Sequence, residues 1–300
     1  MISPDALPYF RRWVTAVRPK TLPAAVAPVM IGSSLAASSN SFKALPALTA
    51  LTVALLLQVG VNLANDYFDC IKGFDTPDRV GPLRVTQSGL LSVESVRAAI
   101  FIVFALSGLF GLYLTWLAGW PVLIIGIASI LSAIAYSGGP HPLASHGLGE
   151  TFAFLFFGPV AVCGTFYVQV LEIDPTVISA SLPTGLLIAA VLVVNNLRDI
   201  DTDRKTGKLT LAVRLGRRGT MAETILLIAG AYAIIPVYLL GDNGTGWHFL
   251  PYLTLPAAAR LIGQIINSKG EAETLNRCLA QTALLSLIFS LLLSIGILMD

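Results

Sequence analysis

The chain has 300 residues, 55% of them hydrophobic and only 12% charged, and its mean hydropathy is +0.77. Soluble domains carry about a quarter charged residues, so this composition excludes an ordinary water-soluble fold and points to an integral membrane protein. The net charge of +2 is scattered over separate loops and offers no nucleic-acid surface, and Cys70, Cys163 and Cys278 show neither a disulfide framework nor metal-ligand spacing.

In chain order, a basic lead of Arg11, Arg12, Arg18 and Lys20 precedes an apolar run from Thr21 to Ala37. That order imitates a secretory signal peptide, but the lead is long and Pro23 and Pro28 interrupt the run, so the segment is read as a first span. A span needs roughly 17–25 mainly apolar residues. Nine segments qualify: 21–38, 45–66, 96–116, 120–137, 149–170, 176–198, 221–240, 248–266 and 278–298. Arg260 and Gln264 make the eighth the most diluted. Each span must pair its own backbone groups in lipid, which predicts an all-α, polytopic membrane helix bundle of about nine transmembrane helices. The runs are too long and unbroken for a membrane barrel. A single domain covers 1–300.

Loop charge sets the expected orientation. With nine spans, 18 of the 19 basic residues fall on or toward one side, and only Lys43 lies on the other. The positive-inside rule then predicts a cytoplasmic N-terminus and a C-terminus outside, for a bacterial inner-membrane protein. A faint repeat accompanies this. VNLANDYFD closes the second span and VNNLRDIDTD the sixth, so Asn65 and Asp69 are spaced like Asn195 and Asp199. A duplicated four-helix unit, 21–137 and 149–266, plus a final helix 278–298, would produce this pattern.

The acids are concentrated in the same places. Asp66, Asp69, Asp75 and Asp78 form one cluster and Asp199, Asp201 and Asp203 another, together 7 of 17 acidic residues. On a helix Asp66 and Asp69 share a face, as do Asp199 and Asp203, while Asp201 points elsewhere. Carboxylates at a helix C-terminus oppose the macrodipole by about 0.3–1 kcal/mol each, and like charges one turn apart add repulsion. Solvated helix ends are the bland alternative. A bound cation would relieve both penalties, and hard oxygen ligands suit Mg²⁺ held by one or two carboxylates plus substrate phosphates. On that view, neutralising one carboxylate should leave ligand-free stability unchanged or slightly higher. Asp66, Asp69, Asp75, Asp199 and Asp203 are the candidate metal ligands, with Asp69 and Asp199 the catalytic pair. Lys20, Arg79, Arg84, Lys208 and Arg214 lie on the same side and are candidates for the remaining phosphate charge, although each also serves as a topology signal. Tyr136 is a candidate cavity residue. His141, His146, His248 and Tyr167 read as ordinary loop or interface residues.

At these residues the chain resembles a known family. NLANDYFDCIKGFDTPDR, RPKTLP at Arg18–Pro23, and NNLRDIDTDRKTGKLTLAVRLG resemble the UbiA superfamily of intramembrane aromatic prenyltransferases. Within it they are similar to the branch acting on 1,4-dihydroxy-2-naphthoate in menaquinone synthesis. The resemblance covers most of the chain. It implies Asn65, Asp69, Asn195, Asp199 and Asp203 as Mg²⁺–diphosphate residues. It also implies transfer of a polyprenyl group from polyprenyl diphosphate to the naphthoate, with loss of pyrophosphate and CO₂ to give a demethylmenaquinol. Two departures stand out. Gly73 occupies the place of the superfamily's usual third acid, the next acid being Asp75, and the loop after Tyr136, SGGPHPLASHG, lacks the basic residue often found there. The rival readings are another aromatic acceptor such as 4-hydroxybenzoate, or an ion-coupled transporter. A transporter would place its acids at mid-membrane on broken helices, often in inverted repeats; here they gather at one face.

Overall fold

Runs of Leu, Ala, Val and Ile that must satisfy their backbone internally become helices along almost the whole chain. The computed structural model describes residues 7–75, 81–242 and 246–300, with 237–242 by backbone alone, and no strand occurs among them. The helices are α1 (Tyr9–Val17), α2 (Pro23–Ser38), α3 (Ala44–Ile71), α4 (Val93–Ala118), α5 (Trp120–Ala135), α6 (Gly149–Leu155), α7 (Ala161–Val170), α8 (Pro175–Thr206), α9 (Leu211–Asp242), α10 (Leu255–Asn267) and α11 (Ala272–Met299). A π-helical stretch, Phe156–Val160, fuses α6 and α7 into one span, and a 3₁₀ segment, Gly246–Thr254, leads into α10. Local capping signals start two of the helices. Ser92 caps α4 by accepting from Ser95 N at 3.2 Å, and Asp174 caps α8 by accepting from Thr176 N at 2.6 Å.

All nine expected segments are helical, but nine spans is an approximate count. Among the described residues seven helices are long and apolar enough to cross a membrane, and the pair Tyr9–Thr21 and Pro23–Ser38, bent by 49°, makes eight. The fourth segment, Trp120–Ala135, is a shorter apolar helix of 16 residues. Trp116 and Trp120 stand exposed at the α4–α5 turn, where an interfacial aromatic pair belongs.

Burial ranks the helices. In α8, 67% of the most apolar window is buried, against 17% in α4, which makes α8 the central helix and α4 a lipid-facing one. α9, α11, α6 and α2 pack around α8, while α3 and α4 pair with each other. The largest apolar cluster joins α2, α7, α8, α9, α10 and α11 and includes Leu187, Leu197, Ile235 and Phe289. Phe289 is fully buried, with its ring edge-on to Tyr232 at 5.1 Å. Lipid is as apolar as this core, so close packing rather than transfer from water holds the helices together. Phe289→Ala is therefore expected to cost mainly its cavity term, on the order of 2–4 kcal/mol. A lowered thermal midpoint in detergent, at unchanged helix content, checks this.

Candidate active site

α3 stops at its acidic end for a local reason. Gly73, at φ +71°, takes a left-handed turn open to glycine, and the chain folds back so that Phe74 N donates to Asp69 O at 2.9 Å. The turn buries Asp75 beside Asp69, which is how an acid shifted past the helix end still reaches the cluster. α8 ends in the same manner. Gly207, at φ +76°, closes the helix, Lys208 N donates to Asp203 O at 2.9 Å, and the Lys208 side chain leaves toward α3.

The two motifs meet there. Lys208 Nζ donates to Asp69 Oδ2 at 3.0 Å, across 139 residues of sequence. Arg84 NH2 donates to the same oxygen at 3.2 Å, and Arg84 Nε lies 3.3 Å from Asp75 Oδ2. Asp66 accepts from Val85 N at 3.1 Å and Thr86 N at 2.8 Å and pairs with Arg18 at 3.5 Å, so it pins the returning segment. Lys72 Nζ crosses to Ser137 O at 2.7 Å and Gly139 O at 2.9 Å, and Ser137 Oγ donates to Asn65 Oδ1 at 2.5 Å. Burial works to lower the pKa of Lys208, but Asp69, Asp203 and Asp75 more than offset it and hold it above the usual lysine value. Lys72 is pushed below that value, by burial first and by Lys208, with Asp69 opposing. The like-charge crowding expected of the acids is thus relieved by Arg18, Arg84 and Lys208.

The other candidates divide. α8 is continuous through the second motif. Arg198 makes two bonds to Asp199, at 2.7 and 2.6 Å, and also donates to Asn195 and to Asn276 of α11. Asp203 faces Lys208, whereas Asp201 is exposed and pairs with Arg217 at 2.5 Å. Lys20 is exposed in the turn after α1, and Arg18 is the member of that motif that reaches an acid. Arg214 donates to Leu209 O at 3.2 Å. With Lys72, Phe74, Pro140, His146 and Gly207 it lines a cavity of about 310 Å³ beside the Asp69–Lys208 pair. Tyr136 caps α5 half-buried, its hydroxyl within electrostatic reach of Glu150, Asp69 and Asp203. Arg79 and Asp78 lie outside the described residues. A larger groove, about 410 Å³, sits at Arg260, Gln264 and Asn267, away from both motifs. Arg18, Lys72 and Arg198 also reach the site, with no sequence signal that marks them for it. Before folding, a basic residue that will pair with a carboxylate looks the same as a topology signal.

A model of the UbiA prenyltransferase family matches residues 25–297. The chain belongs to this family. It is 40% identical to a 1,4-dihydroxy-2-naphthoate octaprenyltransferase of Mycobacterium tuberculosis, over 94% of this chain and 95% of that one. To the enzyme of the same name in Escherichia coli it is 38% identical, over 93% and 94%. The fold matches that of a UbiA homolog from Archaeoglobus fulgidus bound to DMAPP and Mg²⁺, with a TM-score of 0.70 at 16% identity, over 96% of this chain and 99% of that one.

Whether this UbiA-family chain has a place for Mg²⁺ is tested by its own oxygens. Asp69 Oδ1 is buried and has no hydrogen-bond partner among the described residues, so one hard donor stands uncommitted beside Lys208. No group of three or more His, Cys, Asp or Glu is assembled for a metal among the described residues. This donor set suits Mg²⁺, which is commonly held by one or two carboxylates together with water and substrate phosphates, and does not suit an all-protein cage.

Proposed function

We propose that this chain transfers a polyprenyl group from polyprenyl diphosphate to 1,4-dihydroxy-2-naphthoate, with release of pyrophosphate and CO₂, giving a demethylmenaquinol in menaquinone biosynthesis. The observation that carries the reading is the Lys208–Asp69 pair, which closes two Asp-rich motifs around one point. The names of this chain's relatives favour the naphthoate over 4-hydroxybenzoate.

Asp69 Oδ1, with Asn65, Asp199 and Asp203, would hold Mg²⁺ and the diphosphate, while Asp66 and Asp75 keep the 81–91 segment in place. Bound Mg²⁺ supplies neutralisation of the departing diphosphate. Lys208, Arg84 and Lys72 take up further negative charge as the allylic C–O bond opens, with Arg214 lining the cavity beside them. Groups already fixed by hydrogen bonds need no reorganisation at that moment. The apolar bundle houses the prenyl tail and keeps water from the allylic cation until the electron-rich ring captures it. No covalent enzyme nucleophile is required.

The test is direct. Purified protein is incubated with Mg²⁺, a prenyl diphosphate and a panel of aromatic acids. Prenylated, decarboxylated product from the dihydroxynaphthoate is expected; preferential prenylation of 4-hydroxybenzoate would reject the acceptor and keep the family chemistry.

The orientation follows from charge. The N-terminus, the stretch holding Arg79 and the end of α8 holding Arg204 face the cytoplasm, and Asp300 faces outward across a bacterial inner membrane. Single cysteines on a cysteine-free background are expected to label from the cytoplasmic side near Arg204 and from the outer side at position 300. Labelling near Arg204 from outside alone would reverse the assignment.

A further inference from the structure

Two carboxylates, one buried and one half-buried, have no part in the chemistry above. Glu150, the second residue of α6, is 6% exposed. Its Oε1 accepts from Asn196 Nδ2 of α8 at 2.7 Å, and no basic residue among the described residues pairs with it. Glu223 of α9 lies within electrostatic reach of Glu150, and its Oε2 is buried without a hydrogen-bond partner among the described residues. A carboxylate without a cationic partner is costly to bury inside a membrane bundle. Arg18, Arg84, Lys208 and Arg198 neutralise the other buried acids, yet none of them is placed here. A group kept in this state is poised for a ligand that brings its own donor.

The position fits the acceptor. Asn196 and Asp203 are seven residues apart on α8, so they share a face about 10.5 Å apart along the axis. Glu150 therefore lies two turns deeper than the end of the second motif, on the same side of α8. Tyr136 joins the two levels. Its hydroxyl is 3.4 Å from where a Cβ on Gly149 would stand, and Glu150, then Asp69 and Asp203, act on it electrostatically. In 1,4-dihydroxy-2-naphthoate the 1-hydroxyl is closed onto the neighbouring carboxylate, which leaves the 4-hydroxyl as the free donor.

We infer that Glu150, fixed by Asn196, accepts the hydrogen bond of the acceptor's 4-hydroxyl and so sets which ring carbon faces the prenyl group. The inference rests on the prenyl-transfer reading of the same site. A carboxylate accepting from that hydroxyl also raises the electron density of the ring that attacks. In Glu150→Gln, an amide oxygen that keeps the Asn196 bond turns its own NH₂ group toward the substrate donor, and the contact becomes repulsive.

The experiment uses the full chain with Mg²⁺ and a prenyl diphosphate. It compares the KM of dihydroxynaphthoate with the inhibition constant of 1-hydroxy-2-naphthoate, which lacks the donor. Glu150→Gln is expected to lower kcat/KM for dihydroxynaphthoate by about 100-fold, the range of a hydrogen bond to a charged group. Inhibition by 1-hydroxy-2-naphthoate and the KM of the prenyl diphosphate should change less than about threefold. Where Glu150→Gln does not accumulate folded, Asn196→Ser is read on the same pair of constants, with a smaller loss confined to dihydroxynaphthoate. Equal weakening of both aromatic acids, parallel loss of donor affinity, or unchanged acceptor kinetics would each overturn the inference. A wild-type chain that does not prenylate dihydroxynaphthoate overturns the underlying reading as well, whereas an active wild type with an insensitive variant overturns this inference alone.

Discussion

Asp69→Asn is expected to cut prenyl transfer by on the order of 10³-fold per folded molecule. Asp69 carries both halves of the site: Oδ2 binds Lys208 and Arg84, and Oδ1 is the uncommitted donor that suits Mg²⁺. The amide keeps the size and loses the charge that both functions need. Its effect on stability reverses the expectation drawn from crowded carboxylates. Asp69 is the shared partner of two cations, so removing its charge leaves Arg84 and Lys208 facing each other in a buried setting. Breaking one side of a buried pair costs about 3–5 kcal/mol, and the ligand-free thermal midpoint should fall. Activity must therefore be normalised to folded protein, and the stabilisation given by prenyl diphosphate with Mg²⁺ measured beside it. That stabilisation should vanish in Asp69→Asn and weaken in Asp199→Asn. Asp201→Asn is the control: its carboxylate is 63% exposed and pairs only with Arg217 among the described residues, so near-normal turnover is expected. A destabilised Asp69→Asn with normal turnover per folded molecule would leave Asp69 a structural residue and remove the metal assignment.

The second large effect is expected at Lys208. Lys208→Gln should raise the KM for prenyl diphosphate and lower kcat, with kcat/KM down by about 10²–10³-fold. The cation lost is the one that links the two motifs. Its pH behaviour has a definite sign. The folded pKa lies above the usual lysine value because Asp69, Asp203 and Asp75 outweigh the burial that would lower it. The stability this pair contributes is fully present below the unfolded value of about 10.4 and is lost only as pH rises through the higher folded value. Wild-type turnover should therefore show no alkaline limb from Lys208 between about pH 7 and 10. Lys208→Arg keeps the charge and is expected to recover part of the donor affinity. Unchanged donor KM and kcat in Lys208→Gln would detach this residue from the diphosphate.

The membrane class, the helical segments, the uneven distribution of basic residues among the loops and the two acidic motifs were legible in the residues alone. These are local or compositional properties, set by hydropathy, by the spacing of Asp66 with Asp69 and Asp199 with Asp203, and by where Lys and Arg fall between apolar runs. The continuity of α8 through Asp203, and with it the outward direction of Asp201, was also legible from helical periodicity. Which cations meet which acids is settled by helix packing. Arg84 is 15 residues from Asp69 and Lys208 is 139 away. Until Gly73 and Gly207 turn the chain back, nothing distinguishes these residues from Lys20, which stays exposed. The structure also gave Asp66 to the backbone of Val85 and Thr86, and brought Glu150 against Asn196, a pairing of α6 with α8 that no sequence spacing encodes. The physical reason is one of range: hydropathy and helical period act over a few turns, whereas a buried carboxylate takes its partner from whichever helices close packing brings within about 3 Å of it.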